Sequence, residues 1–181
     1  MNQGLIPRRY AKALYQFALQ KNDTDRIYQL MKNLSEAFDN EPKLQSTLAN
    51  PFVDAEDKIQ LILTASGAAE TDNCMDDFLK LLRKNKRLDM TRAISRAYLD
   101  IYRQENNISV VTVTSAAQLS QEGEKRLRKI IEAHLNGGSM EYTSKVNPDL
   151  IGGFTVSIGN ERLDASISNE LKQLRLNLLS K

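Results

Sequence analysis

Cysteine and histidine are almost absent from this chain of 181 residues, which has one of each, Cys74 and His134. A single cysteine excludes an intramolecular disulfide and any cysteine-based zinc cluster. It is also a poor nucleophile candidate, because the sole histidine stands in the other half of the chain. Cys74 therefore reads as a small core or surface thiol. His134, just before Asn136-Gly137-Gly138, reads as a surface residue whose charge suits a helix C-terminus. No Ser-His-Asp set can be assembled around it, and no nucleophile elbow occurs. Phosphate-binding spacings are missing too: there is no G-x-G-x-x-G and no Gly-Lys-Ser/Thr. Neither an enzyme nor a nucleotide-binding protein is expected, and no cofactor.

Long apolar runs are also lacking. None approaches the roughly 18 residues needed to span a bilayer, so any membrane association must come through partners. A charge of one sign is lacking as well. The net charge is +2, with 16 basic and 15 acidic residues through Glu105 and 9 and 8 after it. Neither half has the basic excess of a dedicated nucleic-acid binder. The 41% of hydrophobic residues suffice for a modest core, and 27% charged residues argue against wholesale disorder.

What is present is helical patterning, up to about residue 105. Ile6, Tyr10, Ala13, Leu14 and Phe17 recur at three- and four-residue spacings, predicting an amphipathic helix. Asn22-Asp23-Thr24 interrupts it and offers caps for a second helix striped by Ile27, Leu30, Met31, Leu34 and Phe38. A short helix is predicted over 44–48, and another from Ala55, capped by Asp54, with Ile59, Ile62 and Leu63 inward. Residues 72–84 carry Met75, Phe78, Leu79 and Leu82 on one side. A last helix starts near Asp89 and holds Ile94, Tyr98 and Ile101. Six such helices with short connections predict a bundle over residues 1–105.

The pattern changes near Glu105. Residues 108–114 are β-branched almost throughout and predict a strand. Ser120 should cap a helix carrying Leu127, Ile130, Ile131 and Leu135. Residues 140–146 and 154–158 predict further strands, with a short fourth near Arg162-Leu163. Leu163-Asp164-Ala165-Ser166 reads as the lead into a final helix striped by Ile167, Leu171, Leu174 and Leu178. Phe154, Val156 and Ile158 are expected to hold their strand to that helix. The fold class is thus mainly α: a six-helix N-terminal bundle (1–105) followed by a small α+β C-terminal domain (106–181).

Charge is clustered in three places. Asp54, Glu56 and Asp57, like Asp72, Asp76 and Asp77, lack an EF-hand's spacing and sit where carboxylates favour helix starts. Lys80, Arg83, Lys84, Lys86 and Arg87 suit a helix C-terminus. The alternative function is a helical nucleic-acid-binding protein using this basic cluster at 80–87. It lacks interleaved aromatics for base stacking. The helix over 72–84 has excess apolar width, since Cys74 and Leu81 extend its stripe, and the first helix adds Ala11, Tyr15 and Ala18. Such helices either lie centrally or offer a groove to a partner helix.

Five segments, in order, then carry a resemblance. They are Arg9-Tyr10-Ala11-Lys12-Ala13-Leu14-Tyr15-Gln16-Phe17-Ala18; Asn50-Pro51 with Lys58; Phe78-Leu79-Lys80-Leu81-Leu82 running into Asn85-Lys86-Arg87-Leu88; Val113-Thr114-Ser115-Ala116-Ala117-Gln118-Leu119-Ser120; and the stretch from Asn147 to Ser166 with Gly152, Gly153, Phe154, Gly159, Asp164 and Ser166. Together they resemble the delta subunit family of bacterial F-type ATP synthases, whose mitochondrial relative is the oligomycin sensitivity-conferring protein. One departure is Gly159-Asn160-Glu161, where an acidic residue often follows the glycine. The resemblance implies a non-catalytic component of the peripheral stalk (stator), coupling ion flow to ATP synthesis. It implies that the bundle receives N-terminal helices of alpha subunits between its first and fifth helices, with Tyr10, Ala13, Leu14, Phe17, Phe78 and Leu81 as contacts. The C-terminal domain would join the C-terminal segments of the b subunits. Location would be peripheral, on the cytoplasmic side of a bacterial cell membrane, through the complex. The N-terminus, with Arg8, Arg9, Lys12 and Lys21 and no acidic residue before Asp23, has presequence traits. It also holds the family's first helix and is poor in serine, so an unprocessed chain is expected.

Overall fold

The computed structural model describes residues 4–68, 73–135, 137–159, 161–169 and 171–172. The chain divides into two compact units, Met1–Glu105 and Asn106–Lys181.

The first unit is built from α1 (Leu5–Gln20), α2 (Thr24–Asn40), α3 (Pro42–Ala49), α4 (Ala55–Ser66), α5 (Asn73–Lys84) and α6 (Thr91–Glu105), with a 3₁₀ turn at Leu88–Met90. Pro42 opens α3 at its first position, where the missing N–H is no loss. Asp54 caps α4, as its position predicts, accepting from the Ala55 amide at 2.6 Å. The expected caps at 22–24 differ: Asp23 is the N-cap residue of α2 but makes no side-chain cap bond. Asn22 instead takes φ +55 and ends α1. There the Asp23 amide reaches the Ala18 carbonyl at 2.9 Å and the Asn22 amide reaches Leu19 at 3.2 Å. Gly67 and Lys86 close α4 and α5 in the same way, both at positive φ.

The core contains Phe38, Leu34, Ile62, Met75, Leu79 and Ile94, all fully buried. Among them stands a tyrosine cluster. Tyr28 stacks on Tyr102 at 4.0 Å between centroids, and Tyr15 tilts against Tyr98 at 6.0 Å. Tyr102 donates to Asp25 Oδ1 at 2.7 Å and Tyr98 to the Thr24 carbonyl at 3.3 Å, both at the start of α2. Burial, with the hydrogen bond to Asp25, pushes the Tyr102 phenol up to about 12. At the other end of α2, Asp39 accepts from Arg92 at 3.1 Å and Arg96 at 2.7 Å. The start of α2 thus meets the end of α6 and its end meets the start of α6, so the two run antiparallel.

The Arg92 hydrogen bond, reinforced by Arg96, holds the Asp39 carboxyl below its ordinary 3.8. A depressed carboxylate stabilises the fold above its unfolded-state pKa and loses that contribution as pH falls through the folded value. Asp39→Asn is therefore expected to lower the thermal midpoint at neutral pH and to converge on the parent protein in acid, below about pH 4. Thermal unfolding across a pH series checks this. A gap that persists unchanged into acid would assign the effect to something other than the carboxylate's charge.

The second unit comprises β1 (Ile108–Ser115), α7 (Gln121–His134), β2 (Ser139–Val146), a 3₁₀ turn at Pro148–Leu150, β3 (Gly153–Ile158) and β4 (Glu161–Ser166). Sheet order is β2-β1-β3-β4. β1 pairs with β2 in parallel, which requires a crossover, and α7 provides it. The β1–β3 and β3–β4 pairs are antiparallel. Ser120 caps α7 through the Gly123 amide at 3.1 Å, and His134 is exposed in its last turn, both as expected.

Leu163-Asp164-Ala165-Ser166 leads into helix at Ile167, as expected, and the short fourth strand expected near Arg162-Leu163 extends through it as β4, with Gly153 opposite Ser166 and Val156 opposite Leu163. Phe154, Val156 and Ile158 are expected to meet the final helix, most of which lies outside the described residues. They pack with Val111, Val113 and Ile131, because α7 covers that face of the sheet. Helix resumes at Ile167, which is largely exposed, as is Leu171. Leu174 and Leu178 lie outside the described residues.

Candidate functional site

Six residues are expected to form a docking face, and burial divides them. Along α1 the buried stripe is Pro7, Ala11, Leu14 and Ala18. That stripe is rotated from the predicted one. Ile6, Tyr10 and Phe17 are half-buried and Ala13 is exposed, so these four share a face turned away from the centre of the core. Leu14 belongs to the core. On α5, Cys74, Met75, Phe78, Leu79 and Leu82 are buried. Leu81 stands apart at 43% exposure, against 5% for Phe78. Tyr10, Ala13, Phe17 and Leu81 are thus at least partly open to a partner in the free chain, while Leu14 and Phe78 are not.

The two helices are joined at one end. Lys21, directly after α1, reaches Asp77 of α5 at 3.7 Å and lies 4.2 Å from the centre of the Phe17 ring. An apolar strip bounded by charges can receive an amphipathic helix, whose apolar side chains then leave water.

The basic cluster after Leu79 is partly spent within the fold. Lys80 pairs with Asp76 at 2.6 Å, and Arg83 pairs with Glu56 of α4. The hydrogen bond to Asp76 raises the Lys80 pKa. Lys86 ends α5.

The Gly152-to-Ser166 signature forms a junction instead of a reactive site. Asn147 accepts from the Asp149 amide at 3.1 Å, so Pro148 and Asp149 turn the chain. Ile151 then takes φ +62, unusual for a β-branched residue. Gly152 accepts from the Ile167 amide at 3.1 Å, and a Cβ there would lie 2.5 Å from Ile167 Cδ1. At Gly153, φ is +78 and a Cβ would overlap the Ala165 carbonyl oxygen. Ser166 is buried. Its hydroxyl donates to Asp164 Oδ1 at 2.6 Å and accepts from the Asn169 amide at 3.3 Å, capping the following helical turn. These hydrogen bonds from Ser166 hold the Asp164 carboxyl below its usual range. Gly159, at φ +54, opens the β3–β4 turn in free space. The signature residues bring the start of β3 against the end of β4, and Phe154 follows into the core cluster.

A second apolar surface stands outside the sequence expectations. Ile130 and Leu163 are 66% and 64% exposed and flank a cavity of 350 Å³ also lined by Ile131, Val156 and Ile158. Alternation in β4 carries the signal, because Leu163 is paired with core residue Val156 and faces α7. Among the described residues, no helix is long and apolar enough to cross a membrane.

The chain matches the family described as ATP synthase delta (OSCP) subunit over residues 6–178. It is 33% identical to the ATP synthase subunit delta of Phocaeicola vulgatus, covering 98% of this chain and 96% of that one. Identity to the same protein of Parabacteroides distasonis is 36%, covering 99% and 98%. A chain in the cryo-EM structure of the Toxoplasma gondii mitochondrial ATP synthase hexamer shares the fold. Its TM-score is 0.73 at 20% identity, covering 96% of this chain and 97% of that one. With the family match and the relatives spanning nearly its whole length, this chain belongs to the ATP synthase delta (OSCP) subunit family.

Proposed function

We propose that this protein is a non-catalytic part of the peripheral stalk of an F-type ATP synthase. The N-terminal unit grips the N-terminal helix of an alpha subunit, and the C-terminal unit holds the C-terminal segments of the b subunits. Family membership supports the assignment to the complex. The observation that carries the division of labour is the apolar face of Tyr10, Ala13, Phe17 and Leu81 on one of two separately compact units.

The mechanism is mechanical. Rotation of a central stalk exerts a reaction torque on the catalytic head, and an unanchored head would turn with it. Binding free energy at two interfaces resists that torque, with no bond made or broken in this chain. Membrane association comes through the b subunits, placing the protein at the cytoplasmic face of a bacterial membrane.

Deleting the chain from Asn147 onward removes β3 and β4, and with them the pairing of β1 on one side. The truncated protein is expected to keep alpha binding, lose co-purification with the C-terminal segment of b, and fail to support ATP-driven proton pumping in membranes. Normal pumping with b retained would defeat this assignment of tasks.

A further inference from the structure

We propose that the face shared by α1 and α5 fixes the direction of the helix it receives, taking that helix's acidic end at Arg9 and Lys84 and its basic end at Asp77. This rests on the docking reading above.

The two helices run antiparallel. Lys21, after the end of α1, meets Asp77 in the first half of α5. At the opposite end, α5 leads into the 3₁₀ turn at Leu88–Met90. Asp89 of that turn borders the same hollow as Gly4, Pro7 and Arg8 at the start of α1. The beginning of α1 and the turn that follows α5 therefore border one hollow, away from the Lys21–Asp77 end.

Charge is graded along this face. On α5, Asp77, Leu81 and Lys84 are spaced i, i+4, i+7 and fall on one side of the helix. On α1, Arg9, Ala13 and Phe17 repeat every four residues. Arg9 and Lys84 are exposed and make no ion pair among the described residues, so their charge is available. At the other end Asp77 carries the negative charge and Lys21 partly offsets it. The free cations at the first end supply most of the discrimination. Arg83, one residue before Lys84, is held by Glu56 on α4 and takes no part.

Two peptides of about 18 residues, long enough to lie along α1, test this with the intact ¹⁵N-labelled protein. Both carry the same apolar stripe; one has glutamates in its first turn and lysines in its last, and the other has them exchanged. A nitroxide on the acidic end of either peptide should broaden the amide signals near Arg9 and Lys84. On the basic end it should broaden those near Lys21 and Asp77. Arg9→Glu with Lys84→Glu, both on exposed positions, should weaken binding about three- to tenfold, an effect that fades with salt. Reversed or mixed orientation, or unchanged affinity in the double variant, overturns the proposed polarity. So does failure of both peptides while an N-terminal segment of an alpha subunit binds. Failure of that segment as well defeats the docking reading itself.

Discussion

Gly153→Ala should destabilise the C-terminal unit by about 3–5 kcal/mol, at the upper end for a single substitution. Two effects combine. The left-handed backbone at φ +78 is strained for any residue with a Cβ. The added methyl would also overlap the Ala165 carbonyl oxygen and crowd Ser166 Cα at 3.0 Å, and both are backbone atoms of the paired β4 strand. Neither can move without breaking the Gly153–Ser166 pairing. A unit this small has little stability to spare, so substantial unfolding of residues 106–181 is expected at ambient temperature. Hydrogen exchange resolves the two units, with β1 and β3 amides losing protection while those of α2 and α6 keep theirs. Gly159→Ala is the control. Its φ is also positive, but a Cβ there meets nothing within 4 Å, so only about 1 kcal/mol is expected. Equal effects at both glycines would mean that backbone conformation alone, and not the approach of β4, requires Gly153.

Leu81→Asp and Phe78→Ala should separate docking from folding, although the two positions lie within one turn of the same helix. Leu81 is 43% exposed, so an aspartate there stays hydrated in the free protein and the bundle remains folded. Against a docked apolar helix the same carboxylate would be buried without a partner. A loss of about 2 kcal/mol or more, roughly thirtyfold in affinity, is expected by calorimetric titration with an N-terminal segment of an alpha subunit. Phe78 is 5% exposed, and truncation to alanine empties core volume, with a stability loss of about 3–5 kcal/mol. Unchanged binding by Leu81→Asp, or loss of its circular dichroism, would place the docking face elsewhere.

How far the docking face is legible in the sequence depends on helix geometry. Excess apolar width on α1 and α5 is visible in the residues, since it needs only the 3.6-residue period. Which part of that width turns inward is not. Pro7, Ala11 and Ala18 are small and form the buried stripe of α1 with Leu14, so the bulkier Tyr10 and Phe17 lie to its outer side. A pattern that weighs side chains by hydrophobicity alone assigns the core to the larger residues. Leu14 and Phe78, both expected as contacts, turn inward because helix rotation places them against the core.

The C-terminal unit shows the complementary limit. Its signature glycines suggest a bend or a close approach but do not name the neighbour. Only the pairing of β3 with β4 shows that Gly153 faces Ser166 and that Ser166 caps the next turn.

By itself, the sequence determined the helical character up to Glu105, the change to β-branched strands after it, and the caps at Asp54 and Ser120. All of these rest on interactions within a few residues of chain. Tertiary structure alone decided the parallel β1–β2 pairing, the packing of Phe154, Val156 and Ile158 under α7, and the exposure of Leu81, Ile130 and Leu163. Strand partners and helix rotation are chosen by how whole faces fit together, and residues distant in sequence supply those faces.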